Sequence, residues 1–272
     1  MTTLLIDADY IVYKSCAAAE YDIDWGDDVI MVGSKFSEAY ANTKREIDRV
    51  KSNFFDPDVI LFFSDSTNFR KRVAADYKGH RNRKKPCGYK RVIHALHDHY
   101  RVIIMPTLEA DDAMGVYATS NDDCVICSPD KDMKQIPGSV WNMDEMFTID
   151  KRSGWEWFLI QTLAGDSTDG YSGAPGFGVK TSQKFFGDYG YTWNSVVQAF
   201  ESKGLTEMDA LRNARLAKIL TAEDYDFEQS RPILWTPTDA HNNTDYGTAV
   251  QDEEDGRSSE QGSEGGDYSF IS

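Results

Sequence analysis

Glu109-Ala110-Asp111-Asp112-Ala113-Met114-Gly115-Val116 places three carboxylates in four residues. Just upstream, the apolar run Val102 to Met105 closes with Pro106 and reads as a strand. Downstream, Ala113, Val116 and Tyr117 recur at helical spacing. The acids therefore belong to the first turn of a helix that leaves a strand. By spacing, Glu109 and Asp112 share one helix face and Asp111 points to the side. A helix dipole alone favours negative charge there, so simple capping is the plain alternative. Recurrence of the same pattern along the chain decides against it.

Thr3 to Ile6 is a short apolar run that ends at Asp7, with Asp9 two residues on. Asp58 to Ser64 is a second buried strand, ending at Asp65. Cys124 to Ser128 is another, followed by Asp130-Lys131-Asp132. Val140 to Met143 reads as an edge strand. Helical spacing covers 34–52, with Ser34 as N-cap, then 155–163 and parts of 193–222. The helix at 155–163 ends near Asp166 and Asp169. Strands alternating with helices predict an α/β fold with a mostly parallel central sheet. Such sheets bind ligands at the carboxyl ends of their strands, where these acids lie. Carboxylates so crowded repel one another, and a bound divalent cation is their best explanation.

The chain has 272 residues and a net charge of −16. Nine of its acids fall in residues 239–272, alongside one base, Arg257. Setting these aside with the nine candidate metal acids leaves 27 acids and 28 bases in the body. The bases are uneven: residues 70–101 hold Arg70, Lys71, Arg72, Lys78, Arg81, Arg83, Lys84, Lys85, Lys90, Arg91 and Arg101, with Tyr77 and Tyr89 interleaved. That segment reads either as a phosphate-backbone contact or as a solvated basic face. Cys124 and Cys127 have half of a zinc spacing without a second half, so buried thiols in a reducing cytoplasm are expected. No apolar run nears the ~20 residues that span a membrane, and the first residues lack a basic secretion leader.

Gly173-Ala174-Pro175-Gly176-Phe177-Gly178-Val179-Lys180-Thr181 lies between two helical stretches. Its glycines admit close backbone approach, and the next helix offers free N–H groups to a phosphate. From Thr238 on, apolar residues thin out and disorder is expected.

The motifs IDADY, FFSD, FRKRVAADYKGHR, EADDAMG, SPDKDM, LAGDSTDG and GAPGFGVKT, in this order, resemble the flap endonuclease and 5′→3′ exonuclease family. The resemblance runs from about residue 1 to 237 and is nearest the exonucleases of short-tailed phages. It implies a PIN-like nuclease core over 1–150, a helix–three-turn–helix region over 151–238 and a disordered acidic tail over 239–272. Asp7, Asp65, Glu109, Asp111, Asp112, Asp130, Asp132, Asp166 and Asp169 match the family's metal carboxylates; Asp9 is a second-tier candidate. Lys78 and Arg81 match the basic pair that touches the scissile phosphate. Gly176, Gly178, Lys180 and Thr181 match the duplex-holding hairpin, whose carbonyls bind potassium in the family. Arg70, Arg72, Tyr77, Arg83, Lys84 and Lys85 are the further DNA contacts expected, Tyr77 by stacking on a base.

The function expected is 5′→3′ exodeoxyribonuclease action on duplex ends in phage replication or recombination, inside the host cytoplasm. Two Mg²⁺ or Mn²⁺ ions would assist hydrolysis. Partners would be double-stranded DNA with a 5′ end or flap, and a replication protein at the tail. The alternatives are a structure-specific flap endonuclease, a PIN-type ribonuclease and a non-catalytic DNA-binding module.

Overall fold

The computed structural model describes residues 1–81, 84–244 and 246. β1 (Thr3–Asp7) passes directly into α1 (Ala8–Ala18), whose first turn the Asp7 carboxylate caps by accepting from the Tyr10 amide at 3.4 Å. β2 (Glu20–Asp24) and β3 (Ile30–Ser34) form an antiparallel ribbon absent from the expectations. Its signal is there: Tyr21, Ile23 and Trp25 alternate with Asp22 and Asp24. α2 (Phe36–Lys51) has Lys35, not Ser34, as its N-cap residue. Then follow β4 (Asp58–Phe62), the short α3 (Arg70–Val73), α4 (Tyr89–Leu96), β5 (Arg101–Ile103), α5 (Ala110–Ser120) and β6 (Cys124–Cys127). A 3-10 turn at Lys131–Gln135 leads to β7 (Gly138–Trp141) and β8 (Met146–Ile149). The remainder is α6 (Lys151–Ala164), the pair β9 (Gly165–Asp166) and β10 (Tyr171–Ser172), α7 (Val179–Tyr189), α8 (Trp193–Glu201), α9 (Glu207–Ala217) and the pair β11 (Tyr225–Asp226) and β12 (Arg231–Pro232).

The main sheet has the order β5-β4-β1-β6-β7-β8. All its pairings are parallel except β7 with β8. Buried apolar strands such as Leu4-Leu5-Ile6 need cover on both faces. One face packs with α1, α2 and α4 through Ile11, Ile47 and Leu96; the other packs with α5 through Met114 and Val116. A third core belongs to the C-terminal helices, around Phe158, Leu163, Phe186, Trp193 and Phe200. Ala74 and Tyr77 join this third core, and Ile219, Leu220 and Tyr225 join the second, so the chain crosses between the two parts.

Two glycines fix that crossing. A Cβ on Gly115 would run into the Leu220 carbonyl oxygen, and one on Gly154 would meet the Gln135 oxygen at 2.5 Å. The ordered body also continues beyond the expected tail boundary at 239. Asp239–Asn242 forms a 3-10 turn, and the His241 ring stacks on Trp155 at 4.9 Å between centroids. Three aromatic partners (Trp155, Trp235 and Tyr246) hold it there, which composition alone did not reveal. Most of the expected tail, 245 and 247–272, lies outside the described residues, as does Arg83. Among the described residues, no helix is long and apolar enough to cross a membrane. All four cysteines are free; Cys127 is buried and Cys124 partly so.

Candidate active site

The carboxyl ends of the parallel strands open into a cleft of about 1110 Å³. Asp7 ends β1, Asp65 lies three residues past β4, and Asp130 three past β6. Glu109 and Asp111 enter from the start of α5, and Asp166 and Asp169 from the end of α6. With Asp9 and Asp132, nine carboxylates line the cleft among the described residues, against six Lys and Arg side chains. Eight of the nine expected metal acids are thus brought together.

The ninth, Asp112, is a correction. It is fully buried and faces Arg70, itself only 1% exposed. The pair is bidentate, at 2.6 and 2.8 Å. Arg70 also donates to the Leu216 and Lys218 carbonyls, at 2.9 and 2.6 Å. Asp112 accepts from the amides of Leu220 and Glu109, both at 3.3 Å. Charge on charge in the interior is tolerated only with such complete satisfaction. Asp112 is therefore a clamp between α5, α3 and the segment after α9, and Arg70 is not a DNA contact.

Tyr77 is corrected likewise. It is 2% exposed, and its hydroxyl donates to Glu109 at 3.1 Å and Asp169 at 2.8 Å. A ring so enclosed cannot stack on a base; it holds two acids in place. Asp65 lines the cleft, but its oxygens accept from the Ser66 and Thr107 amides and the Thr67 hydroxyl, which caps its own turn. Although burial raises its pKa, those bonds hold it below the ordinary range.

Lys78 and Arg81 do sit at the centre. The Lys78 ammonium bonds Glu109 and lies 3.5 Å from Asp169. Arg81 donates to Asp169 at 2.8 Å and to the Thr168 carbonyl at 3.0 Å. Lys131, not expected as a site residue, pairs with Asp166 at 2.9 Å. Burial pushes Glu109 up, but Lys78 and Arg70 outweigh it and hold it low. Asp166 is likewise held low, with Lys131 overcoming burial. Arg72, Lys84 and Lys85 are exposed.

Other acids lack such cations. Burial and the neighbouring Asp9 and Asp130 push Asp7 up to about 7. Burial and Asp130 push Asp132 to about 7, against a hydrogen bond from Gln161. Burial together with Asp7, Asp130 and Glu109 raises Asp111 well above the usual range. Asp111 Oδ1 is buried with no hydrogen-bond partner. Among the described residues, no three His, Cys, Asp or Glu side chains converge as ready metal ligands, and Lys78 and Lys131 pair with Glu109 and Asp166. The donor set, all hard oxygen with an unpartnered buried carboxylate, nevertheless fits Mg²⁺ or Mn²⁺.

The Gly-rich loop borders a second, open hollow lined by 164–165, 167 and 171–179, which shares Tyr171 with the main cleft. Gly176 has φ +84° and Gly178 is extended, and a Cβ on either would meet nothing within 4 Å. Lys180 is exposed at the start of α7. Thr181 is exposed but bonds back to its own loop: its hydroxyl accepts from the Gly178 amide at 2.7 Å and faces the Gly178 and Gly176 carbonyls at 3.0 and 3.4 Å. It shapes the loop rather than presenting a free donor.

Residues 2–156 match the model of the 5′-3′ exonuclease N-terminal resolvase-like domain. The chain belongs to the 5′-3′ exonuclease family. It is 30% identical to the exodeoxyribonuclease of Enterobacteria phage T3, over 86% of this chain and 92% of that one. It is 29% identical to the exonuclease of Escherichia phage T7, over 86% and 93%. A phage T5 protein co-crystallised with metal ions shares the fold, with a TM-score of 0.62 and 11% identity over 80% of this chain and 90% of that one. The chain is thus a 5′-3′ nuclease of this family, built on an α/β fold with a mostly parallel sheet.

Proposed function

We propose that this chain is an exodeoxyribonuclease that removes nucleotides from the 5′ ends of duplex DNA with two divalent cations, Mg²⁺ or Mn²⁺. The observation that carries it is the charge of the cleft: among the described residues, nine carboxylates against six cationic side chains, with a buried Asp111 oxygen left unpaired. A phosphate cannot approach that excess of negative charge without added cations. Asp7, Glu109, Asp111 and Asp130 would hold one ion; Asp132, Asp166 and Asp169 the other, with Asp65 and Asp9 outside them. Bound there, the ions activate water and neutralise phosphoryl oxygens. Lys78 and Arg81, paired with Glu109 and Asp169, are placed to pass their charge to the scissile phosphate.

Residues 1–150 carry most of the chemistry in this reading; 151–238 add Asp166 and Asp169 to it and grip duplex. The α7 amides and Lys180 serve as the phosphate contact, and the Gly176 and Gly178 carbonyls as the potassium site. Only seven positions separate Arg81 from α4, which favours an end-acting enzyme over one that threads a long flap. The T3 relative's name, exodeoxyribonuclease, supports DNA as substrate.

Digestion of duplexes labelled at either 5′ or 3′ termini, with Mg²⁺, Mn²⁺ or chelator, tests this. Early release of 5′ label as mononucleotide, dependent on metal, is expected. Early release of 3′ label, or cleavage of RNA alone, overturns it.

A further inference from the structure

The short segment at the end of α9 is gripped by two buried side chains. Its Leu216 and Lys218 carbonyls accept from Arg70. Its Ala217 carbonyl and Ile219 amide meet Gln135 instead. Gln135 closes the Lys131–Gln135 turn, and Gln161 lies on α6 among the buried Phe158, Leu159, Ile160 and Leu163. Both glutamines are buried, at 6% and 4% exposure. Backbone groups dictate which way each amide points. The Ala217 carbonyl can only accept, at 2.7 Å, and the Ile219 N–H can only donate, at 3.0 Å. Gln135 must therefore turn Nε2 to the first and Oε1 to the second. Its remaining N–H donates to Gln161 Oε1 at 2.6 Å. That fixes Gln161 in turn, whose Nε2 donates to Asp132 Oδ1. Reversing either amide would set oxygen against oxygen or N–H against N–H in the interior. Asp132 itself lines the cleft, and among the described residues no donor meets its Oδ2.

We propose that Gln161 and Gln135 are positioning residues for the nuclease: a buried amide relay, keyed by the backbone at 217–219, that holds Asp132 by one oxygen and leaves the other to a divalent cation. The inference rests on the proposed role of Asp132 as a cation ligand. Neither glutamine lines the cleft, so both act through Asp132 rather than on DNA. A carboxylate fixed in this way has no rotational freedom left to lose when an ion binds. Groups that orient a metal ligand commonly change metal affinity by 10–100-fold. A donor at Oδ1 also favours the charged form of an acid that burial disfavours. The relay makes the acid answer to the C-terminal part of the chain. A shift of 217–219 would release Gln135, then Gln161, then Asp132.

The test is Mn²⁺ binding to the full chain without DNA, followed by electron paramagnetic resonance. Asp132→Asn should lose one ion. Gln161→Met, of similar volume, should weaken that same ion about 10-fold and add no further loss in the Asp132→Asn background. Gln135→Glu should have the same effect as Gln161→Met, although Gln135 does not touch Asp132. It keeps an acceptor for Ile219 but no longer supplies two donors, so the Gln161 amide is free to turn its oxygen to Asp132. If one of these variants fails to fold, the other carries the same comparison. Single-turnover release of a 5′ label should fall in both at limiting Mg²⁺ and recover as Mg²⁺ is raised. A merely structural role would lower the rate at every Mg²⁺ concentration, and that result overturns the relay. So does unchanged Mn²⁺ binding in the glutamine variants beside a loss in Asp132→Asn. Wild-type Mn²⁺ binding by Asp132→Asn overturns instead the ligand role on which the relay rests.

Discussion

Asp112→Ala separates a metal ligand from a structural clamp. The substitution strips Arg70 of its bidentate partner inside the protein, where the guanidinium is 1% exposed. Among the described residues, its only other carboxylate within ion-pair distance is Glu109, at 3.5 Å and already bonded to Lys78. The amides of Leu220 and Glu109 also lose an acceptor. Removing one member of a buried pair costs about 3–5 kcal/mol, because the remaining charge has no partner and no water. For a chain of this size, each kcal/mol lowers the melting temperature by roughly 2–4 °C. A drop of roughly 6–20 °C is therefore expected for metal-free protein by calorimetry or circular dichroism. Asp112→Asn keeps the shape and half of the acceptors, so it should fall between. Activity at a temperature where the variant stays folded should survive in part, because the carboxylate does not reach the cleft. If Asp112→Ala melts within about 2 °C of wild type, yet has lost all hydrolysis and Mg²⁺ binding, the clamp is wrong and Asp112 is a ligand.

Asp130→Ala should behave in the opposite way: Asp130 is exposed in the cleft, and its main bond is to the Asp132 amide at 2.9 Å. Hydrolysis should vanish for a stability cost of about 1 kcal/mol, the worth of a cap, with a weakened Mg²⁺ isotherm; near-normal turnover would remove it from the site. His241 accepts from the Thr238 amide on Nδ1 at 2.8 Å, and burial, then Lys218, lower its pKa. The unfolded chain therefore binds the proton more readily, so the contribution of this turn is complete above the ordinary histidine value of 6.5 and is lost as pH falls below it. Hydrogen exchange near 238–242 should accelerate at about pH 5 but not at about pH 8; a flat profile refutes it. Lys180→Ala should reduce the salt slope of duplex binding by about one unit and spare single strands, and Gly176→Val should add to this by straining a φ of +84°. Equal weakening of both ligands would make the loop a structural turn only.

The α/β order and the acids at strand ends were legible because a parallel sheet dictates where its loops emerge. Which acid faces the cleft was not. Spacing put Glu109 and Asp112 on one face, but Glu109 is the N-cap of α5, with extended dihedrals of −79° and 161°. The helical period starts only after it, so Glu109 and Asp111 turn to the cleft while Asp112 turns to the core. Arg70 and Tyr77 were misread for a related reason. A basic, aromatic run shows its charge but not which side chains a neighbouring helix covers, and here the 216–220 segment and the third core cover both. The ribbon of β2 and β3 carries a plain alternation, Tyr21, Ile23 and Trp25 against Asp22 and Asp24. The ordered C-terminal turn depends on His241 meeting the nearby Trp235 and Tyr246 and, from far along the chain, Trp155, a contact that composition does not hold.

Lys78 shows why the basic and acidic motifs need each other. Its φ is +54°, a left-handed conformation costing a non-glycine residue roughly 1 kcal/mol. A left-handed backbone at a lysine places its side chain where an unstrained backbone would not. The backbone there is pinned: the Lys78 amide donates to the Asp169 carbonyl at 2.8 Å, and the Arg81 amide returns to the Lys78 carbonyl at 3.0 Å. That geometry aims the ammonium between Glu109, from the strand-end acids, and Asp169, from the α6 loop. One side chain thus bridges the two carboxylate groups proposed to hold separate ions. Neutralisation of those groups by divalent cations would leave the Lys78 ammonium, fixed by its own backbone, free for the scissile phosphate in the proposed reading. Arg81 reaches only Asp169 and the Thr168 carbonyl, so it guards one side. The strain at 78 is the part of the site that holds charge at its centre.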